Sequence, residues 1–292
     1  MTGRILIVGG DSEIAAATVL HLRAHGRGVV TTTRRPERVT ADRPFLDLSQ
    51  PVDDWPIPDG VGAACLCAAV ARLNDCAEDP VGSARINVAG NVSLARKLLA
   101  RGIPVLFLST DKVFDGERSH VPADAPPCPV SEYGRQKAAA EAALGELMSD
   151  GAPAAILRLA KVVMPGMALL RQWVIELDGG RPIRAFHDMM MAPTPVALVA
   201  AAIERLLGAP TSGIFQLTGP RDVDYAAVAR HLAQRIDAAP GLVETVSAYS
   251  VGLPVGSTAR NTTLDSSALT ERFGIVVPDA WTVINELIET CR

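Results

Sequence analysis

Tyr133 and Lys137 stand four residues apart in E-Y-G-R-Q-K, a spacing that puts both side chains on one face of a helix. An ammonium beside a phenol favours the phenolate and lowers a pKa that is otherwise about 10. Such a tyrosine can exchange a proton with a carbonyl or hydroxyl near neutral pH. The pair is common by chance, and a solvated helix face would carry it equally well. The segment upstream makes it more specific. Twenty-three residues before the tyrosine, Thr110 closes the apolar run V-L-F-L-S-T. A strand there delivers Ser109, Thr110 and Asp111 to the carboxyl edge of a sheet, where open α/β folds bind ligands. The Thr110 hydroxyl can then hold a carbonyl oxygen while Tyr133 protonates it. Helix caps would explain either hydroxyl alone, but not the strand, the spacing and the Tyr/Lys pair together.

A second constellation opens the chain. Residues 5–15 read I-L-I-V-G-G-D-S-E-I-A, a strand, a glycine pair and a helix start. Such a turn aims free backbone N–H groups and the positive helix end at a pyrophosphate. Gly9, Ser12, Glu13 and Ile14 are the candidate cofactor contacts. An ordinary βα turn with a serine N-cap reads the same way. The next strand, Gly28–Thr33, runs into Arg34 and Arg35 with no acid nearby. A guanidinium suits a 2′-phosphate, whereas an acid would hold a ribose 2′-hydroxyl. This pattern favours NADP (as NADPH) over NAD, unless both arginines are solvated loop residues. Asp47 and Leu48 follow the next apolar segment. Asp47 can cap an adenine amino group or serve a turn.

These residues need a frame, and the hydrophobic pattern supplies one. Strands are predicted at Ile5–Val8, Gly28–Thr33, Pro44–Leu46, Ala63–Ala69, Pro104–Ser109 and Ala154–Leu159. Helices are predicted at Glu13–His25, Ala84–Arg101 and Ser131–Leu147. Strands alternating with helices imply an α/β fold with a doubly wound, Rossmann-like parallel sheet. Residues 1–161 form this domain. Residues 162–292 form a smaller C-terminal α/β substrate region, some of whose segments return to the Rossmann core. Helices there are predicted at Met167–Leu177, Pro195–Leu207, Tyr225–Ala238, Asp265–Phe273 and Asp279–Cys291, with a strand at Gly213–Leu217. The apolar face of Ala84–Leu99 could serve a homodimer or the core.

The 292 residues are 48% apolar and 21% charged, which supports a substantial core. A net charge of −4 gives no basic face for nucleic acid. No stretch reads as a targeting segment or membrane span. The five cysteines lack C-x-x-C spacing, so reduced thiols in a cytoplasmic protein are expected, with no metal site.

The segment Ser109–Gly116 (S-T-D-K-V-F-D-G) is similar to the S-T-D-Y-V-F-D-G of the dTDP-4-dehydrorhamnose reductase branch of the extended short-chain dehydrogenases/reductases. Residues 133–141 (Y-G-R-Q-K-A-A-A-E) resemble that family's Y-G-x-S-K-x-x-G-E, and residues 259–273 resemble its R-P-x-x-S-x-L-D-x-x-K-L stretch. The resemblance implies NAD(P)H-dependent reduction of a keto group on a nucleotide-linked sugar. It assigns Thr110, Tyr133 and Lys137 as a triad, with Lys137 also on the nicotinamide ribose. Ala68 and Ala69 would border the adenosine ribose and diphosphate, and Asn87 would support the cofactor side. Arg158 would lie before backbone facing the nicotinamide, or be a structural ion-pair residue.

Three positions depart from the family. Ser12 replaces a glycine of the turn, and could crowd the diphosphate or bond to it. Lys112 replaces a tyrosine, and this cation could meet a substrate carboxylate or phosphate or point to solvent; Asp111 beside it is a further candidate substrate contact. The run Met189–Met191 replaces a polar segment. Core packing is its simpler reading, and a flexible apolar lining of the substrate cleft around Met190 is the other. The alternatives to a reductase are an epimerase with tightly bound NAD and a non-catalytic dinucleotide-binding regulatory subunit. Asp111-Lys112 stands where dehydratases carry Asp-Glu, which speaks against dehydration.

Overall fold

The computed structural model describes residues 3–209, 211–253 and 256–291. The first half runs β1 (Arg4–Val8), α1 (Glu13–Ala24), β2 (Val29–Thr31), β3 (Val61–Leu66), α2 (Leu73–Glu78), α3 (Pro80–Ala84), α4 (Asn91–Leu99), β4 (Val105–Thr110), α5 (Glu132–Ser149) and β5 (Ala154–Leu159). The second runs β6 (Val162–Val163), α6 (Ala168–Asp178), β7 (Ile183–Phe186), β8 (Met190–Met191), β9 (Thr194–Pro195), α7 (Val196–Gly208), β10 (Gly213–Leu217), β11 (Val223–Asp224), α8 (Tyr225–Arg235), β12 (Val243–Val246), α9 (Ser267–Phe273) and α10 (Ala280–Glu289).

Six parallel strands make the main sheet in the order β10-β5-β4-β3-β1-β2. Every residue of β4 and β5 is buried, because helices cover both faces and leave no room for polar alternation. Successive residues face opposite layers. Ile5, Ile7, Leu106 and Leu157 pack with α1, α7 and α9, whereas Leu6, Val8, Phe107 and Ile156 pack with α4 and α5. The chain reverses its direction of travel across the sheet between β1 and β3. That reversal opens a crevice at the carboxyl ends of the strands.

A second core lies among α6, α8 and α10, around Trp173, Leu177, Val228, Leu232, Ile284 and Leu287. Small ladders edge it: β7 with β12, and β8 with β11. The boundary after residue 161 is less clean in space than in sequence. Strand β10 pairs with β5, and α7 and α9 pack beneath the main sheet.

Two predicted elements differ. Pro44–Leu46 makes only an isolated bridge, Thr33 to Phe45, because three residues beginning with a proline cannot sustain a ladder. Ala84–Arg101 is not one α-helix, since residues 85–90 form a π-turn between α3 and α4. Asn87 and Asn91 are buried there and turn their amides toward the loop after β3. The apolar face of this segment, including Val92, Leu94, Ala95 and Leu98, is spent in the core rather than on a free surface.

Candidate active site

Helix α5 begins at the β4 edge. Ser131 caps it, its Oγ accepting from the Gly134 N–H at 3.1 Å. A Cβ on Gly134 would fall 2.0 Å from the Lys112 carbonyl oxygen, so only glycine lets α5 lie against the Asp111–Val113 turn. This close approach brings Tyr133 to Thr110. The two residues share a cavity of about 330 Å³ with Asp111, Lys112, Lys161, Met189, Met190, Met191 and Tyr225. The Thr110 hydroxyl donates to Asp111 Oδ1 at 3.0 Å and accepts from the Lys112 N–H at 3.2 Å. Lys112 Nζ pairs with Asp111 Oδ2 at 3.2 Å.

The electrostatics correct one sequence expectation. Burial, followed by the nearby Asp111 and Cys76, raises the Tyr133 pKa above its ordinary value, and a hydrogen bond with Thr110 only partly offsets this. Lys137 does not lower it. The Lys137 ammonium instead donates to the Leu108 carbonyl at 2.5 Å and sits 3.6 Å from the centre of the Phe107 ring. Burial pulls the Lys137 pKa from 10.5 to about 7, against the opposing effects of Glu141 and Cys67. Tyr133 is therefore a neutral acid, the form that donates a proton.

A linkage effect follows. The unfolded chain holds the Lys137 proton up to pH 10.5, while the folded chain releases it near pH 7. The unfolded state binds more protons between these values, so this group's contribution becomes more favourable to folding as pH rises. Its destabilising effect is complete below about pH 7. Lys137→Met is expected to be more stable than the parent in urea at pH 6, the gap closing by up to roughly 1.4 kcal/mol per pH unit on the way to pH 10. A gap independent of pH would contradict this.

The second cleft, of about 250 Å³, lies at the sheet's reversal point and is lined by Gly9, Asp11, Ser12, Thr33, Arg34, Leu46, Leu48, Cys67, Ala68 and Ala69, among others. Gly9 has φ +84°, and a Cβ there would fall 2.7 Å from the Ala68 Cα. Ser12 lines the cleft while its Oγ caps α1, accepting from the Ala15 N–H at 3.2 Å. The backbone N–H groups of Asp11, Glu13 and Ile14 find no acceptor among the described residues. An anion fits here. The side chains of Glu13 and Ile14 lie outside the lining, so only their backbone can serve.

Asp11, Arg38 and Arg43 were not singled out from the sequence. The Asp11 carboxylate accepts from Thr33 Oγ1 at 2.6 Å, Arg43 Nη2 at 2.6 Å and Arg38 Nη1 at 3.1 Å. Burial alone would raise its pKa, but Thr33 and the arginines outweigh that and hold it below the usual carboxylate range. Arg43 Nε is buried with no hydrogen-bond partner among the described residues. Arg34 and Arg35 are both exposed, and only Arg34 lines the cleft. The four arginines exceed the one acid, and an adenosine 2′-phosphate would answer the excess. The basic spacing at 34, 35, 38 and 43 was the available signal.

Three other assignments change meaning. Leu46 and Leu48 face the cleft, but Asp47 between them faces away and accepts from the Ser49 N–H at 2.9 Å. Asn87 is fully buried and touches the loop rather than the cleft. Its amide accepts from Val70 N–H at 2.8 Å, donates to Val70 O at 2.9 Å and donates to Gln136 Oε1 at 2.8 Å. Arg158 is structural: it donates to Glu141 at 2.7–3.1 Å, to Gln216 at 3.2 Å and to the Ala123 carbonyl at 3.1 Å. The methionine run lines the active cavity, although Met191 also reaches the second core. Among the described residues one group has metal-ligand spacing, His21, His25 and Glu204, and it shares no residue with either cleft.

One loop borders both clefts, Ala68–Val70 lining the first and Ala71 and Leu73 the second. A parallel sheet of this order, a glycine turn at its reversal point and a Tyr-x-x-x-Lys helix at the β4 edge define the extended short-chain dehydrogenase/reductase class. The chain belongs to the RmlD substrate binding domain family, whose model matches residues 3–292. It is 29% identical over 297 residues to a dTDP-4-dehydrorhamnose reductase of Burkholderia thailandensis, covering 94% of this chain and 95% of that one. It is 27% identical over 283 residues to a probable low-salt glycan biosynthesis reductase of Haloferax volcanii, covering 93% of each. The fold superposes on the Bacillus anthracis dTDP-4-dehydrorhamnose reductase, solved with NADP, with a TM-score of 0.80, 18% identity and 99% coverage of both chains. No helix among the described residues is long and apolar enough to cross a membrane.

Proposed function

We propose that the protein is an NADPH-dependent reductase of a keto group on a nucleotide sugar, acting through Thr110, Tyr133 and Lys137. The observation that carries this reading is the placement of Thr110 and Tyr133 in one cavity that shares a bordering loop with the glycine-turn cleft. The full-length similarity to enzymes named as dTDP-sugar reductases supports it.

NADPH, when bound, supplies the hydride that reduces the ketone carbon. The chain's own residues do the rest. The Thr110 hydroxyl turns from Asp111 to hold the ketone oxygen. Tyr133 Oη gives that oxygen its proton as negative charge develops on it. The phenol suits that task because burial and Asp111 keep it protonated. Lys137, one turn along α5 from Tyr133, would donate to ribose hydroxyls on giving up the Leu108 carbonyl. Gly9 and the free N–H groups of Asp11, Glu13 and Ile14 would hold the diphosphate, and Ala68 and Ala69 would border it. Arg34 would take the 2′-phosphate, with Arg38 and Arg43 shared between it and Asp11.

Nicotinamide fluorescence tests the cofactor half. NADPH is expected to bind about tenfold or more tightly than NADH, one charged contact being worth roughly 1.5–3 kcal/mol. Arg34→Ser should weaken NADPH binding by about tenfold and leave NADH binding unchanged. Equal affinity for both would favour NAD and an internal redox cycle, and binding of neither would overturn the dinucleotide reading.

A further inference from the structure

Lys161 follows β5 and lines the cavity that holds Thr110 and Tyr133. Its backbone is fixed, because its carbonyl accepts the Thr194 N–H at 2.9 Å as β6 and β9 pair. Its side chain is mostly withdrawn from solvent, yet among the described residues its ammonium has neither a hydrogen bond nor an ion pair. Glu13 is the one acid that acts on it, from beyond ion-pair distance. The other lysine of the cavity is different, since Lys112 is already neutralised by Asp111 at 3.2 Å.

A sequestered cation without an anion costs stability. The residues sharing the cavity do not relieve that cost, because the Asp111 carboxylate is paired with Lys112, and Leu73, the three methionines and Tyr225 are apolar or neutral. Such walls strengthen any ion pair formed between them. Burial also holds the Lys161 pKa below its ordinary value, and an arriving anion would reverse that shift.

Resting on the nucleotide-sugar reading above, we propose that Lys161 is an anion subsite within the substrate cavity, pairing with a carboxylate on the sugar whose ketone is reduced. The substrate class is thereby narrowed from a neutral deoxysugar to an acidic one, such as a keto-uronate. A carboxylate beside Lys161 would share the cavity with the ketone at Tyr133, and the methionines would accommodate the ring.

A matched pair of ligands decides the matter, because dTDP-glucuronate and dTDP-glucose share base and diphosphate and differ only at the sugar carboxylate. Calorimetry with NADP-saturated protein is expected to show dTDP-glucuronate bound about tenfold or more tightly than dTDP-glucose. Lys161→Gln should remove that preference by weakening the glucuronate alone, and Lys161→Arg should keep it. Unchanged glucose affinity shows that the variants are folded. Equal affinity of the parent for both sugars would overturn the subsite, and so would a preference that survives Lys161→Gln. Equal loss of both sugars in that variant would overturn it too, by assigning Lys161 to the diphosphate. If neither sugar binds while NADPH does, the nucleotide-sugar reading falls together with the subsite.

Discussion

Tyr133→Phe is expected to lower the rate of ketone reduction by about 10²–10⁴-fold, the usual contribution of a positioned general acid. The substitution removes one oxygen and keeps the ring, so the packing of α5 against the Asp111–Val113 turn is preserved. NADPH affinity should be unchanged, because Tyr133 is absent from the lining of the glycine-turn cleft. Ionisation of the phenol should not limit the parent's rate until well above neutrality, since burial and Asp111 hold it in its protonated form. Full activity in the phenylalanine variant would contradict the assignment of the acid.

The largest stability effect is expected at Arg158→Met. Arg158 and Glu141 are almost completely buried, and the guanidinium bonds both carboxylate oxygens as well as Gln216 and the Ala123 carbonyl. Phe114 stacks beneath it, 4.9 Å from the guanidinium carbon to the ring centre. Methionine would leave the Glu141 carboxylate charged and unpaired, at a cost of about 3–5 kcal/mol. That is a large fraction of the roughly 5–15 kcal/mol that holds a domain folded. The double variant Arg158→Met with Glu141→Leu should recover most of the loss, because it removes the orphaned charge. Denaturant midpoints of the three proteins measure this, and a double variant no better than the single would show that geometry rather than charge carries the effect.

Much of this site was legible in the sequence where one local rule sufficed. The buried run before Thr110, the glycine turn and the Tyr133/Lys137 spacing each depend on residues close together in the chain. The Asp11 clamp was not legible, because Arg38 and Arg43 reach it from 27 and 32 residues away through a loop that folds back on the turn. The ladder of β7 with β12 joins four-residue segments some sixty positions apart, too short for any periodic signal. The methionine run could not be placed, since an apolar side chain looks the same in a core and in a cleft. Lys137 was recognised by its spacing, but its charge is taken up by the Leu108 carbonyl and the Phe107 ring, partners that only the folded strand β4 presents. For Arg158 the sequence leaves two readings, a place before backbone facing the nicotinamide or a structural ion pair, and the choice turns on Glu141, which only the packing of α5 on β5 presents.

The central claim is net hydride transfer to a sugar ketone, and isotope transfer tests it most directly. The protein would be incubated with dTDP-4-keto-6-deoxyglucose, and with its 6-carboxylate counterpart, in the presence of NADPH deuterated at nicotinamide C4. The account predicts one deuterium on the former ketone carbon for each NADPH consumed, with only one face of the nicotinamide used. Isomerised sugar without net NADPH consumption, or NADPH binding with no transfer to either ketone, would contradict it.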